Sequence, residues 1–239
     1  MKLTWLGQGG FLLESASCRV AVDPYLSDAL AAKGLERMSP PPCTPAELAP
    51  SLVVCTHDHD DHLDPQTVVP MALARCDCRF AGPPAVVAHL VRLGVSQARC
   101  DALTAGGRMD HGCFSIAAAP ARHEGDAIGV VAEAEGLRVY ISGDTLFFDE
   151  LVQGVRRSAG GALDVAAVCI NGRWGNMTWQ EAARVVGDLR PRLAIPMHYG
   201  MFRANTVDPA PFLAAAREMG LEAVAMEVGR TVELRELLK

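Results

Sequence analysis

Six residues do most to limit what this chain can become. His57-Asp58-His59-Asp60-Asp61-His62 stands directly behind the apolar run Leu52-Val53-Val54-Cys55. A helix face or a strand face has no need of such density, whereas a loop that wraps metal ions does. Neutral imidazole and carboxylate are good ligands for divalent transition ions. Three of the chain's seven histidines fall within these six positions, which argues against a solvated acidic turn with incidental histidines. The loop is expected at the C-terminal end of a buried strand, where α/β sheets gather their ligands. As the chain leaves Thr56, His57 and His59 can converge on one ion, and Asp61 and His62 can turn towards a second. Asp58 and Asp60 are spacers that shape the loop.

Two ions need more donors than one loop supplies, and the downstream sequence offers them. His123 follows the apolar segment Phe114–Pro120, Asp144 ends the run Arg138-Val139-Tyr140-Ile141-Ser142-Gly143, and His198 ends Leu193-Ala194-Ile195-Pro196-Met197. Each follows a strand-like stretch, so each can reach a common rim of sheet ends. The candidate ligands are then His57, His59, Asp61, His62, His123, Asp144 and His198. His89, within a helical segment, and His111, beside a glycine turn, are read as non-ligands.

The signature H-x-H-x-D-H, formed by His57, His59, Asp61 and His62, resembles that of the metallo-β-lactamase superfamily, whose later ligands match His123, Asp144 and His198. The resemblance implies an α/β fold, a four-layer αββα sandwich of two mixed sheets with helices outside. It implies that His57, His59 and His123 hold a first metal, that Asp61, His62 and His198 hold a second, and that Asp144 bridges them. It also implies that Asp23, ending an early strand, accepts the remaining ring N–H of a ligating histidine, the usual partner such a ring requires. Asn171-Gly172-Arg173-Trp174-Gly175-Asn176-Met177-Thr178 and Ile195-Pro196-Met197-His198-Tyr199-Gly200 are similar to segments of the L-ascorbate-6-phosphate lactonase branch.

The implied activity is hydrolysis, with a hydroxide shared by two divalent ions attacking a lactone or ester, a phosphorylated sugar acid being one candidate substrate. Manganese or zinc is expected, and iron is compatible with the donors. Asp61 is expected chiefly as a ligand and, as a catalytic group, can accept a proton from the attacking water. Arg173, Asn176, Tyr199 and Arg203 are the expected substrate contacts, the arginines offering paired donors to a phosphate or carboxylate. Two alternatives remain open: a phosphodiesterase or ribonuclease-type metallohydrolase and, from another class, a non-catalytic metal-binding protein. The expected partner is a small molecule, and a homo-oligomer is compatible with the resemblance.

Composition narrows the setting. At 239 residues, half of them hydrophobic, the chain suits one hydrolase domain spanning residues 1–239. Its net charge of −6 argues against broad nucleic-acid binding, which needs a basic footprint. The eight cysteines form no C-x-x-C pair and several sit in apolar runs, so they read as core residues. The start lacks a signal-peptide core and no apolar run approaches the roughly 20 residues of a membrane span. A cytoplasmic protein with reduced thiols is expected.

Local patterns predict strands at 2–6, 11–15, 19–23, 79–82, 114–119, 128–135, 138–142, 165–171, 193–197, 222–226 and 231–234. Helices are predicted from Pro65 behind an Asp64 cap, over 84–93, from a Thr178/Glu181 capping box, and over 209–219. The proline-rich stretch 24–50 is read as either a plain surface loop or a lid.

Overall fold

The computed structural model describes residues 1–239. The first sheet is built from β1 (Lys2–Gly7), β2 (Gly10–Ser15), β3 (Cys18–Val22), β4 (Leu52–Val54), β5 (Arg79–Gly82) and β6 (Cys100–Ala102). The second holds β7 (Arg108–His111), β8 (Phe114–Pro120), β9 (Ile128–Ala134), β10 (Leu137–Ile141), β11 (Val165–Cys169), β12 (Leu193–Met197) and β13 (Glu222–Ala223). β14 (Thr231–Glu233) returns to the first sheet beside β1, giving the order β14-β1-β2-β3-β4-β5-β6 against β13-β12-β11-β10-β9-β8-β7. Both sheets are mixed, since β3 to β6 and β10 to β13 run parallel while the remaining pairs are antiparallel. The helices are α1 (Pro45–Leu48), α2 (Pro65–Ala74), α3 (Pro84–Arg92), α4 (Leu151–Ala159), α5 (Trp179–Leu189), α6 (Ala210–Glu218) and α7 (Leu234–Leu237).

The two-residue period of a strand explains the layering. In β4, Leu52 and Val54 face a core shared with Phe11, Leu13 and, from the second sheet, Val130 and Ile141. Val53 and the following Cys55 face the other way, onto Val68 of α2 and Val86 and Leu90 of α3. A continuous apolar run, rather than an alternating one, is what a strand buried on both faces requires. α4, α5 and α6 cover the second sheet. The result is the four-layer αββα sandwich.

Topology then sets the rim. β8 is antiparallel to β9, and β9 to β10, so β8, β10, β11 and β12 all run the same way. Their C-terminal ends carry His123, Asp144, the 171–178 segment and His198, while the ends of β3 and β4 carry Asp23 and the 57–62 loop.

Most predicted elements appear, with ends moved by a residue or two. The Thr178/Glu181 capping box is present in full, and Asp64 caps α2 by accepting from Gln66 N at 3.0 Å. The strand predicted at 222–226 stops at Ala223, because the chain must cross to the first sheet, where Gly229 N donates to Trp5 O. α1, α4, α7, β6 and β7 were not anticipated. Gly154 sits in mid-α4, and a poor helix former there obscures the helical signal. Packing requires it: a Cβ at 154 would lie 2.2 Å from Cγ of Pro120, the last residue of β8. The 24–50 stretch is fastened rather than loose. Tyr25 and Leu30 pack with Met201 and Phe202, Met38 N donates to Met201 O at 2.7 Å, and Lys33 pairs with Asp60 of the 57–62 loop. All eight cysteines are free thiols, and no helix is long and apolar enough to cross a membrane.

Replacing Gly154 by Ala sets two effects against each other. Helix propensity favours Ala by about 1 kcal/mol, whereas overpacking costs about 1–3 kcal/mol. At 2.2 Å from a proline ring the clash should win. Denaturant unfolding of Gly154→Ala should therefore give a lower midpoint than the parent; a higher midpoint would show that α4 and β8 can part without cost.

Candidate metal centre

Asp23 organises the first layer of the site. Its φ of +43° turns the carboxylate back under the rim, fully buried. Thr56 N donates to Oδ1 at 2.7 Å, Thr56 Oγ1 donates to Oδ2 at 2.6 Å, and His62 Nδ1 donates to Oδ2 at 2.7 Å. Because the Thr56 hydroxyl gives its proton to Asp23, it can only accept from His57 Nδ1, 3.0 Å away. The Nε2 lone pair of His57 is thereby aimed inward. His123 is fixed in the same way: its Nδ1 donates to the carbonyl of Gly175 at 3.1 Å, leaving Nε2 as an acceptor. Gly175 tolerates this approach because it lacks a Cβ, which would lie 2.7 Å from that ring nitrogen.

Two acceptor nitrogens of the first group thus face the third imidazole, whose Nδ1–H can donate to them. His57 Nε2 is 3.0 Å and His123 Nε2 3.2 Å from His59 Nδ1. The second group is Asp61, His62 and His198, whose donor atoms lie within 4.8 Å of one another. Asp144 stands between the groups: Oδ1 is 3.4 Å from His62 Nε2, and Oδ2 is 3.1 Å from His198 Nε2 and 3.9 Å from His123 Nε2. All seven residues singled out in the sequence are thus brought together. They also suit metal ions. His62 Nε2 and Asp144 Oδ1 are buried without a hydrogen-bond partner, and the acceptor nitrogens of His57 and His123 converge on His59, an arrangement that a shared cation would stabilise.

Charge separates the two groups. Burial, reinforced by the neighbouring His62, holds His57 well below the usual imidazole range, and burial also lowers His123. For His62, burial acts in the same direction, but the carboxylates of Asp144, Asp23 and Asp61 prevail and raise it well above that range. Asp144 is held well below the ordinary carboxylate range despite its burial, by His198 and His62.

The spacers of the loop point elsewhere. Asp58 pairs with His89 of α3, and Asp60 with Lys33. His111 contacts Ser51 Oγ at 2.9 Å, well removed in the fold from the seven donors. The expected substrate contacts divide. Asn176 is buried and its amide donates to Asp144 Oδ2 at 2.9 Å and to Asn171 Oδ1 at 3.0 Å, so it holds Asp144 in place. Tyr199 is half-buried against Trp5, ring centroids 5.0 Å apart, and burial pushes its hydroxyl up to about 12, keeping it neutral. Arg173 is exposed and donates to Ala204 O at 3.1 Å. Arg203 lines a cavity of 390 Å³ with Glu36, Arg37 and Met38, and none of the seven donors lines it.

Three contributors escaped the sequence reading: Thr56, Gly175 and Gln8. Gln8 is fully buried, and its Nε2 donates to Asp61 Oδ2 at 2.8 Å and lies 3.1 Å from His198 Nε2. The one available signal was a lone amide between glycines, Gly7-Gln8-Gly9-Gly10, at the end of an apolar strand.

Residues 18–199 match the family described as Beta-lactamase superfamily domain. A UPF0173 metal-dependent hydrolase of Methanopyrus kandleri is 31% identical over 249 residues, covering 98% of this chain and 100% of its own. A second such hydrolase, from Methanosarcina mazei, is 28% identical over 98% of this chain and 99% of its own. The solved structure of a metallo hydrolase from Ignicoccus hospitalis superposes with a TM-score of 0.78 at 27% identity, covering 97% of each chain. The chain therefore belongs to the β-lactamase superfamily, as one of its metal-dependent hydrolases.

Proposed function

We propose that residues 1–239 form one hydrolase domain that uses two divalent cations to cleave a lactone or ester of a small molecule. The observation that carries this reading is the pair of adjoining donor groups, joined by Asp144 and with their ring tautomers set by Asp23, Thr56 and Gly175. His57, His59 and His123 would hold one ion and Asp61, His62 and His198 the other, with Asp144 shared. Manganese, zinc or iron suits these donors. The ions would supply Lewis acidity, making water acidic enough to ionise near neutral pH and polarising a substrate oxygen.

The protein's own groups do the rest. Asp23 fixes His62 directly and His57 through Thr56, and Asn176 fixes Asp144. Asp61 is partly open to solvent and can take the proton of the attacking water. Similarity of the 171–178 and 195–200 segments to the L-ascorbate-6-phosphate lactonase branch supports a lactone, and exposed Arg173 supports an anionic group on it. The neutral Tyr199 hydroxyl is available as a donor near the same rim.

Chelated protein reconstituted with manganese, zinc or iron should retain close to two ions per chain by elemental analysis; one ion or none with every metal would remove the two-ion reading. His59 lies on a half-exposed loop, so His59→Ala should keep the fold. Its turnover should drop by more than the roughly 10–100-fold that losing even a ligand's hydrogen-bond partner costs. A panel of lactones, sugar-phosphate lactones, phosphodiesters and thioesters tests the bond. Turnover confined to phosphodiesters would move the protein to that class, and turnover of none would favour a non-catalytic role.

The raised His62 gives a pH prediction with a definite sign. Without metal its imidazole stays protonated at neutral pH, and a ligand must give up that proton. Metal binding at the Asp61, His62 and His198 group should therefore release a proton and tighten as pH rises. Titration calorimetry in buffers of different ionisation enthalpy reads the proton directly; binding enthalpies independent of the buffer would contradict it.

A further inference from the structure

Gln8 is placed with more care than a turn residue needs. It lies between β1 and β2 at φ +51°, a left-handed conformation uncommon for residues other than glycine. Its carbonyl accepts from Trp5 Nε1 at 3.1 Å and from His198 N at 3.1 Å, so the surrounding structure dictates where this residue sits. Backbone held in such a region by several partners is characteristic of functional sites. The side chain is fully buried, and its terminal nitrogen lies 2.8 Å from Asp61 Oδ2 and 3.1 Å from His198 Nε2, atoms themselves 3.7 Å apart.

Those distances are hydrogen-bond distances, and they are also the spacing of neighbouring ligands on one ion. Neighbouring donors at about 2.1 Å from a six-coordinate ion are about 3.0 Å apart. Gln8 keeps that spacing from both partners. Its amide oxygen, meanwhile, is buried with no hydrogen-bond partner, a costly state for an acceptor. A half-turn about the Cγ–Cδ bond exchanges the oxygen and the nitrogen. Beside the Asp61 carboxylate the N–H side is favoured; beside a cation held by that carboxylate, the oxygen is.

We propose that Gln8 is a further ligand of the Asp61, His62 and His198 group, offering its amide oxygen to the ion bound there. This rests on the two-ion reading given above. An added carbonyl oxygen shifts that group towards harder ions such as manganese, while the three imidazoles of the other group keep their preference for zinc or iron.

The test is manganese binding to the wild-type chain and to Gln8→Leu and Gln8→Glu, followed by electron paramagnetic resonance of free manganese and by the thermal shift on metal addition. Gln8→Leu should bind the first ion as the wild type does. Its second ion should be weaker by more than the roughly 100-fold that losing a ligand's hydrogen-bond partner can cost, and a smaller loss would make Gln8 a support rather than a ligand. Gln8→Glu, which offers a charged oxygen at the same place, should bind the second ion at least as tightly as the wild type. Circular dichroism of the metal-free variants confirms the fold; should Gln8→Leu not fold, a Gln8→Glu variant whose second ion binds more weakly than the wild type's overturns the proposal, and one that binds it as tightly or more so supports it. A wild type with two ions and a Gln8→Leu variant that holds both equally tightly, or more tightly, would overturn the ligand role alone. A wild type that takes only one ion would overturn the two-ion reading and this ligand with it.

Discussion

The site hangs on one buried carboxylate. Asp23 accepts three hydrogen bonds, two from Thr56 and one from His62, and has no exposed surface. A carboxylate without partners in such surroundings would be strongly destabilising, and three donors, one on a ring beside further carboxylates, are what make it tolerable. The same bonds tie the end of β3 to the end of β4 and orient two imidazoles. His62 is held directly and His57 through the Thr56 hydroxyl, so one carboxylate reaches both halves of the donor cluster.

This arrangement depends on the sheets. The loop of 57–62 leaves the first sheet, whereas His123, Asp144 and His198 leave the second, and they meet only because the two inner faces share one core. Packed cores are close to crystalline in density, so small shifts in them are transmitted rather than absorbed. The Gly154 contact with Pro120 shows how near this comes to the site, since Pro120 ends the strand that delivers His123. The strap of 24–50 adds a second tie, joining the loop after β12 to the 57–62 loop through Met38 and Lys33.

What was legible in the sequence follows from how each feature is encoded. The 57–62 run, His123, Asp144 and His198 each stand at the end of an apolar stretch, so residue type and position along the chain were sufficient to single them out. The capping box at Thr178 and the cap at Asp64 are equally local. Thr56, Gly175 and Gln8 are different. A threonine hydroxyl, a glycine carbonyl and a glutamine amide are common groups, and their importance comes from neighbours 52 residues away for Gly175 and 190 for Gln8. Asn176 shows the intermediate case: its segment was recognised, but its hydrogen bond to Asp144, 32 residues distant, was not legible there. α4 was hidden for the same reason, because the residue that breaks its local pattern answers to a strand elsewhere.

The two donor groups are not chemically alike, and this bears on which ions each would prefer. His57, His59 and His123 present three imidazoles, two of them kept neutral by burial, so this group offers nitrogen lone pairs with little net charge. The other group is set among Asp61, Asp144 and Asp23, whose charges hold a proton on His62. Nitrogen donors alone suit zinc and iron, and mixed nitrogen and carboxylate donors also accept manganese. Competition with a proton should make the carboxylate-rich group the more sensitive of the two to pH, because an incoming cation must replace charge already present there. Asp144 belongs to both environments, and its strongly favoured ionised form links them. Filling one group would therefore alter the electrostatic field felt by the other.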